Sequence, residues 1–136
     1  MIFLDTSAIY ALADRGDPNH EVAVEAFRRL LDESEDILLH SYVLVEAAAL
    51  LQRRLGLESA LKFLRESQRF HIHWINSGDH EEAVGLLEER GKRGVSLVDC
   101  ASFAIMRRYQ VNRSLAFDAD FMQEGFFLYR GSEERR

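Results

Sequence analysis

The sequence predicts an α/β fold: a three-layer α/β/α sandwich around a mainly parallel, five-stranded sheet. Two observations point there. Short apolar runs alternate along the chain with longer segments whose apolar residues recur at helical spacing, the pattern of strands joined through helices. The 136 residues, 47% of them hydrophobic, are also enough to build one sizeable core and too few for two. The expected organisation is a single domain over residues 1–130, followed by a Glu- and Arg-rich tail, 131–136, expected to fray.

Ile2 to Leu4 is apolar and runs directly into Asp5, Thr6 and Ser7, which reads as a buried strand feeding a helix N-terminus. After Pro18 a helix is expected from His20 to Leu31, because Val22, Ala26, Phe27, Leu30 and Leu31 fall on one side and Glu21, Glu25, Arg28 and Arg29 on the other. Ile37 to Leu39 is a second strand. Ser41 is placed to cap a helix from Tyr42 to Leu55, which Gly56 stops. Leu57 to Gln68 reads as another amphipathic helix, His71 to Ile75 as a third strand and Asp79 to Arg90 as a helix. Gly91 and Gly94 mark a loop, and Leu97 to Tyr109 is an almost uniformly apolar helix. Ser114 to Phe117 and Phe126 to Tyr129 complete the strands. No internal repeat or low-complexity segment interrupts the pattern.

The chain carries 17 Lys and Arg against 23 Asp and Glu, a net charge of −6, which excludes a surface that grips nucleic acid by bulk charge alone. Its one cysteine, Cys100, lies in an apolar run, so neither an internal disulfide nor a thiolate cluster is possible, and a reducing compartment fits. No apolar stretch approaches the ~18 residues of a membrane span, and no basic segment precedes Ile2 to Leu4. A soluble cytoplasmic protein with no membrane association is the expectation.

Against that background four acids stand out. Asp5, Glu46, Asp99 and Asp118 each lie at the edge of an apolar segment, with no Lys or Arg close beside them. A carboxylate carried toward a core costs several kcal/mol unless a cation or hydrogen-bond donors compensate. In a parallel sheet, Asp5 and Asp118 follow strands one and four at the same edge, while Glu46 and Asp99 lie early in helices that start from that edge. Ligands of such sheets collect there. Oxygen donors from several separate elements suit Mg²⁺ or Mn²⁺ better than zinc.

Each acid has an ordinary alternative. Asp5 can cap a helix, Ser96 and Asp99 have capping-box spacing, and Asp118 and Asp120 can be turn residues. The convergence of all four carries the inference, not any one of them. His71 and His73 alternate along a strand, but no third imidazole or thiolate lies near them, so they read as structural. Glu81, Glu82, Glu88 and Glu89 form a solvated helix face, and Cys100 packs as a small hydrophobe.

Taken in order, Ile-Phe-Leu-Asp-Thr-Ser at the start, Glu46 in an apolar helix, Ser-Leu-Val-Asp-Cys-Ala at 96 to 101 and Phe-Asp-Ala-Asp-Phe at 117 to 121 resemble a PIN domain. The resemblance covers almost the whole chain and is nearest to the VapC-like toxins of toxin-antitoxin pairs. It implies a metal-dependent endoribonuclease whose catalytic acids are Asp5, Glu46, Asp99 and Asp118, with Asp120 as a further Mg²⁺ or Mn²⁺ ligand. Thr6, Ser7 and Ser96 match positions that support the acids. Many relatives carry Thr two residues before the fourth acid, where this chain has Ala116. The resemblance further implies an RNA substrate, cleavage leaving 5′-phosphate and 3′-hydroxyl ends, a VapB-like antitoxin as protein partner, and a homodimer. The alternative is a PIN-like RNA-binding or scaffold module that binds without cutting. A phosphohydrolase using Asp5 as nucleophile fits less well, since Ser7 stands where a second Asp belongs.

Overall fold

The computed structural model describes residues 1–131, and the remainder of the expected tail lies outside the described residues. Five strands, β1 (Ile2–Leu4), β2 (Ile37–His40), β3 (His71–His73), β4 (Arg113–Leu115) and β5 (Phe127–Leu128), form one sheet in the order β3-β2-β1-β4-β5. Every pairing is parallel. The helices that connect them are α1 (Thr6–Ala13), α2 (His20–Asp32), α3 (Ser41–Leu55), α4 (Leu57–Glu66), α5 (Ser77–Arg90), α6 (Leu97–Arg108) and α7 (Asp120–Gln123). They flank the sheet, with α1 packed on α2 and α3, α3 on α4, and α5 on α6.

Parallel strands buried on both faces lack the alternation of a half-exposed sheet. β1 and β2 accordingly bury every residue, including Phe3, Leu38 and Leu39. Helix α6 buries seven consecutive residues from Cys100 to Met106, which explains a composition apolar on all sides. Phe103, Phe121 and Phe126 pack as a cluster between α6, α7 and β5, with ring centroids 5.3 to 6.4 Å apart. Burial of each such ring stabilises the fold by about 1.5–3 kcal/mol.

Several boundaries differ from expectation for identifiable reasons. Strand β3 stops at His73 rather than Ile75, because Asn76 and Asp79 form a capping box that opens α5 at Ser77. Helix α4 ends at Glu66 and tightens into a 3₁₀ turn, Ser67–Arg69. The four-residue helix α7 has too few residues to show a period.

The cap of α3 is His40 and not Ser41. Ser41 Oγ instead accepts from the Ile75 N–H at 2.9 Å, tying α3 to the segment after β3. The fully buried His40 Nδ1 accepts from the Val43 N–H at 3.4 Å, and its Nε2 lies 2.9 Å from Ser102 Oγ on α6. The Ser102 hydroxyl hydrogen is committed to the Val98 carbonyl at 3.0 Å, so Nε2 must be the donor to Oγ. Burial, and next to it the charge of His73, hold this imidazole neutral, with its pKa lowered to about 3.

Candidate active site

Because all strands run the same way, their carboxyl ends open on one edge, and the predicted acids gather there. Asp5 directly follows β1 and is 5% exposed. Its backbone N–H donates to the Leu115 carbonyl at the end of β4, 3.1 Å away, which fixes it between the two central strands. Asp5 also caps α1: Oδ2 accepts from the Ser7 N–H at 3.1 Å and from Ser7 Oγ at 2.6 Å. Ser7 Oγ in turn accepts from the Phe117 N–H at 2.9 Å, so one hydroxyl couples the β1 and β4 ends.

Asp99 occupies the third position of α6 and forms a reciprocal capping box with Ser96, both bonds 3.1 Å long. Asp118 Oδ1 accepts from the Asp120 N–H at 2.9 Å, which orients the turn into α7. Asp99, Asp118 and Asp120 each place one carboxylate oxygen within 4.8 Å of the others. Asp5 stands just outside this trio but is electrostatically coupled to Asp99 and Asp118. Capping and convergence are thus compatible: the caps of Asp5 and Asp99 engage Oδ2 and leave Oδ1 without a protein donor among the described residues.

Glu46 departs from the picture of an acid carried into the core. It is exposed, as is Ala49 one turn on, because this face of α3 forms a cleft wall rather than a core face. Thr6 Oγ1 donates to Glu46 Oε1 at 2.7 Å, and Glu46 lines the same cleft as the other acids but lies outside the trio whose oxygens converge within 4.8 Å. The cleft encloses about 460 Å³ and is lined by Asp5, Thr6, Ser7, Glu46, Ser96, Asp99 and Asp118, together with Ala49, Leu50 and Arg53. Every predicted site residue is therefore in or beside one cleft. Ala116, which replaces the hydroxyl residue of many relatives, is fully buried.

The electrostatics follow from burial among like charges. Desolvation raises Asp5 to about 6 against the opposing bonds from Ser7, and Asp99 and Asp118 add to the rise. Burial raises Asp99 as well, with Asp118 and Asp120 reinforcing it. Asp120 is raised by burial and then by Asp118. Among the described residues no Lys or Arg forms an ion pair with Asp5, Glu46, Asp99, Asp118 or Asp120. A cluster of oxygen donors destabilised by its own charge and left without a cationic partner fits a hard divalent ion, and Mg²⁺ and Mn²⁺ take such ligands.

Other polar groups are engaged elsewhere. The rings of His71 and His73 meet at the Tyr109 hydroxyl, 3.1 and 2.9 Å away, and His73 Nε2 donates to Asp79 Oδ2 at 2.7 Å. Asp79, 2% exposed, also binds Arg108. Burial pushes Asp79 up, but bonds from His73, the Asn76 N–H and Arg108 outweigh it and set its pKa at about 2. Glu124, at the end of α7, collects Arg90, Arg93 and Arg107. Sequence reasoning missed both acids. The Asn76-x-x-Asp79 spacing was a usable signal, whereas nothing local marks Glu124.

The PIN domain family model matches residues 2–124, a span that contains every acid described above. The chain belongs to the PIN domain family. Over 133 residues, 96% of this chain and 98% of the relative, this PIN domain is 35% identical to the 23S rRNA-specific endonuclease VapC20 of Mycobacterium tuberculosis. It is 28% identical over 120 residues, 86% of each protein, to Ribonuclease VapC26 of the same organism. The crystal structure of VapC20, a sarcin-ricin loop cleaving toxin, superposes with a TM-score of 0.81 at 32% identity, covering 93% of this chain and 96% of that one. FitAcB from Neisseria gonorrhoeae matches with a TM-score of 0.66 at 17% identity over 98% and 99% of the two chains, which shows a common fold.

Proposed function

We propose that this PIN domain is a divalent-metal-dependent endoribonuclease and the toxin of a toxin-antitoxin pair. The observation that carries the reading is the convergence of Asp99, Asp118 and Asp120 oxygens within 4.8 Å beside a buried Asp5, with no cation paired to them among the described residues. The rRNA-cleaving relative supports a structured ribosomal RNA loop as the substrate class.

Asp5, Asp99, Asp118 and Asp120 would hold Mg²⁺ or Mn²⁺, which when bound activates water and offsets charge on the phosphate undergoing attack. Ser7 fixes the Asp5 carboxylate by two hydrogen bonds, and Ser96 fixes that of Asp99 by one, so neither ligand has to be ordered on binding. Glu46, hydrogen-bonded by Thr6 and open to solvent at the cleft wall, is the carboxylate free to accept a proton from the attacking water. Water attack with the 3′-oxygen as leaving group gives the 5′-phosphate and 3′-hydroxyl ends that the family resemblance implies.

A second hollow of about 580 Å³ between α1, α2, α3 and α4 has an apolar floor that includes Ile9, Leu12, Phe27, Phe63 and Phe70, with Arg15 and Lys62 on its lining. Such a groove suits the apolar face of an antitoxin helix. No described helix is long and apolar enough to cross a membrane. A homodimer acting in the cytoplasm completes the reading.

The deciding assay incubates the protein with ribosomal RNA in Mn²⁺ or in EDTA, beside Asp99→Asn. Cleavage is expected only for the unaltered protein with Mn²⁺, with the variant still melting cooperatively. Equal cleavage by Asp99→Asn, or in EDTA, would overturn the assignment. RNA binding without cleavage in Mn²⁺ would establish the scaffold alternative instead.

A further inference from the structure

The arginines of this chain are largely committed to the fold. Arg90, Arg93 and Arg107 share Glu124, Arg108 joins Asp79 to Glu82, and Arg113 pairs with Glu35. Arg54 lies over the Tyr10 ring, 5.5 Å from its centroid. Its neighbour Arg53 is different. It is exposed, lines the acidic cleft with Asp5, Glu46, Asp99 and Asp118, and makes no hydrogen bond or ion pair among the described residues.

That placement is unusual for electrostatic reasons. The nearest acid on its own helix is Glu46, seven residues earlier and so on the same face of α3, about 10 Å along the axis. A long, flexible cation could reduce the charge of such a cleft by folding onto a carboxylate, yet Glu46 takes its hydrogen bond from Thr6. The guanidinium lines the same space yet makes no ion pair with any of its acids among the described residues. A planar fork of N–H donors beside a metal-binding acidic cluster, but not neutralising it, matches the non-bridging oxygens of a phosphodiester.

Resting on the ribonuclease reading, we infer that Arg53 is a positioning residue that binds an RNA phosphate flanking the scissile one. The strand crosses the acidic centre toward the exposed face of α3, and Ala49 and Leu50, between Glu46 and Arg53 on the cleft wall, leave room for it to pass. Arg53 acts on the affinity for RNA and leaves the chemistry to the acids.

The test uses a fluorescein-labelled stem-loop RNA and the full chain carrying Asp99→Asn, which binds without cutting. Adding Arg53→Ala is expected to weaken binding roughly 10- to 100-fold, the effect of one charge-assisted contact. The slope of log K against log salt should also shrink by about 0.7, one phosphate contact to a single strand. Arg53→Lys should recover part of the affinity, and Arg54→Ala should bind as the parent does. In the cleaving protein, Arg53→Ala should raise KM while kcat at saturating RNA stays within a few-fold. Unchanged affinity and salt slope, an equal loss in Arg54→Ala, or a fall in kcat at unchanged KM would each overturn the assignment. Since binding is read without turnover, failure of the chain to cleave RNA would sink the enzymatic reading while leaving the Arg53 contact to be judged on its own.

Discussion

Replacing Asp5 by Asn should abolish cleavage and, in metal-free protein, make the fold more stable. The carboxyl pKa rises from 3.8 to about 6 on folding, chiefly by desolvation and further by Asp99 and Asp118. That rise of about two units, at 1.36 kcal/mol each, means that ionised Asp5 costs the apo fold about 3 kcal/mol. Asn keeps an oxygen to accept from Ser7, caps a helix as well as Asp does, and places N–H donors where the carboxylate repelled its neighbours. The sign follows from linkage. Between pH 4 and 6 the native state holds a proton that the unfolded chain has released, so wild-type stability declines as pH rises through this window and stays reduced above it. In EDTA, Asp5→Asn should melt roughly 5–10 °C above the parent at pH 7.5 and level with it near pH 4, measured by circular dichroism. Added Mn²⁺ should stabilise the parent and narrow the gap. A variant less stable than the parent in EDTA at neutral pH would refute the account of Asp5 as a carboxylate held at the expense of stability.

His40 should act in the opposite direction. Its folded pKa lies below that of the free ring, so the unfolded chain takes up a proton first as pH falls from 6.5, and stability drops. In the Asp5→Asn background, His40→Asn should flatten the loss of stability between pH 6.5 and 4; an identical slope in chemical denaturation would contradict this. Glu124→Ala should destabilise by about 2 kcal/mol, because three guanidiniums lose the 2%-exposed carboxylate they share. It should also weaken Mn²⁺ uptake in calorimetry through the displacement of α7 and Asp120. An unchanged melting temperature would exclude that role.

Much of the site could be read in the sequence because strand ends are local features. Asp5 follows three apolar residues, and Asp118 follows the Ser-Leu-Ala-Phe run, so a parallel sheet alone brings both to one edge. Ser96 and Asp99 announce their capping box by spacing. What escaped depends on partners distant along the chain. The cap of α3 is an imidazole whose orientation is set by Ser102, 62 residues later. Helix α7, which carries Asp120, is fastened by Glu124 to arginines from three separate positions. The exposure of Glu46 escaped for another reason: apolar neighbours imply burial only on a core face, and Ala49, which lines the cleft with it, is exposed too.

The clearest sign that the acidic centre serves a ligand lies in how this chain treats its buried acids elsewhere. Asp79 is as enclosed as Asp5, and the Glu124 side chain is 2% exposed, yet each is met by arginine and its pKa is lowered. Asp5, Asp99 and Asp120 are raised, and the groups that orient the site carboxylates are neutral: the Ser7 hydroxyl, the backbone N–H groups of Ser7, Ser96 and Asp120, and the Thr6 hydroxyl. Neutral donors fix direction without cancelling charge. If only folding mattered, an arginine or lysine at the cleft would remove repulsion that the apo protein tolerates, and the one arginine lining it remains unpaired among the described residues. A site whose carboxylates are oriented but not neutralised keeps its full negative charge for a divalent ion, while the cation that does face the cleft remains available to the phosphate backbone of RNA.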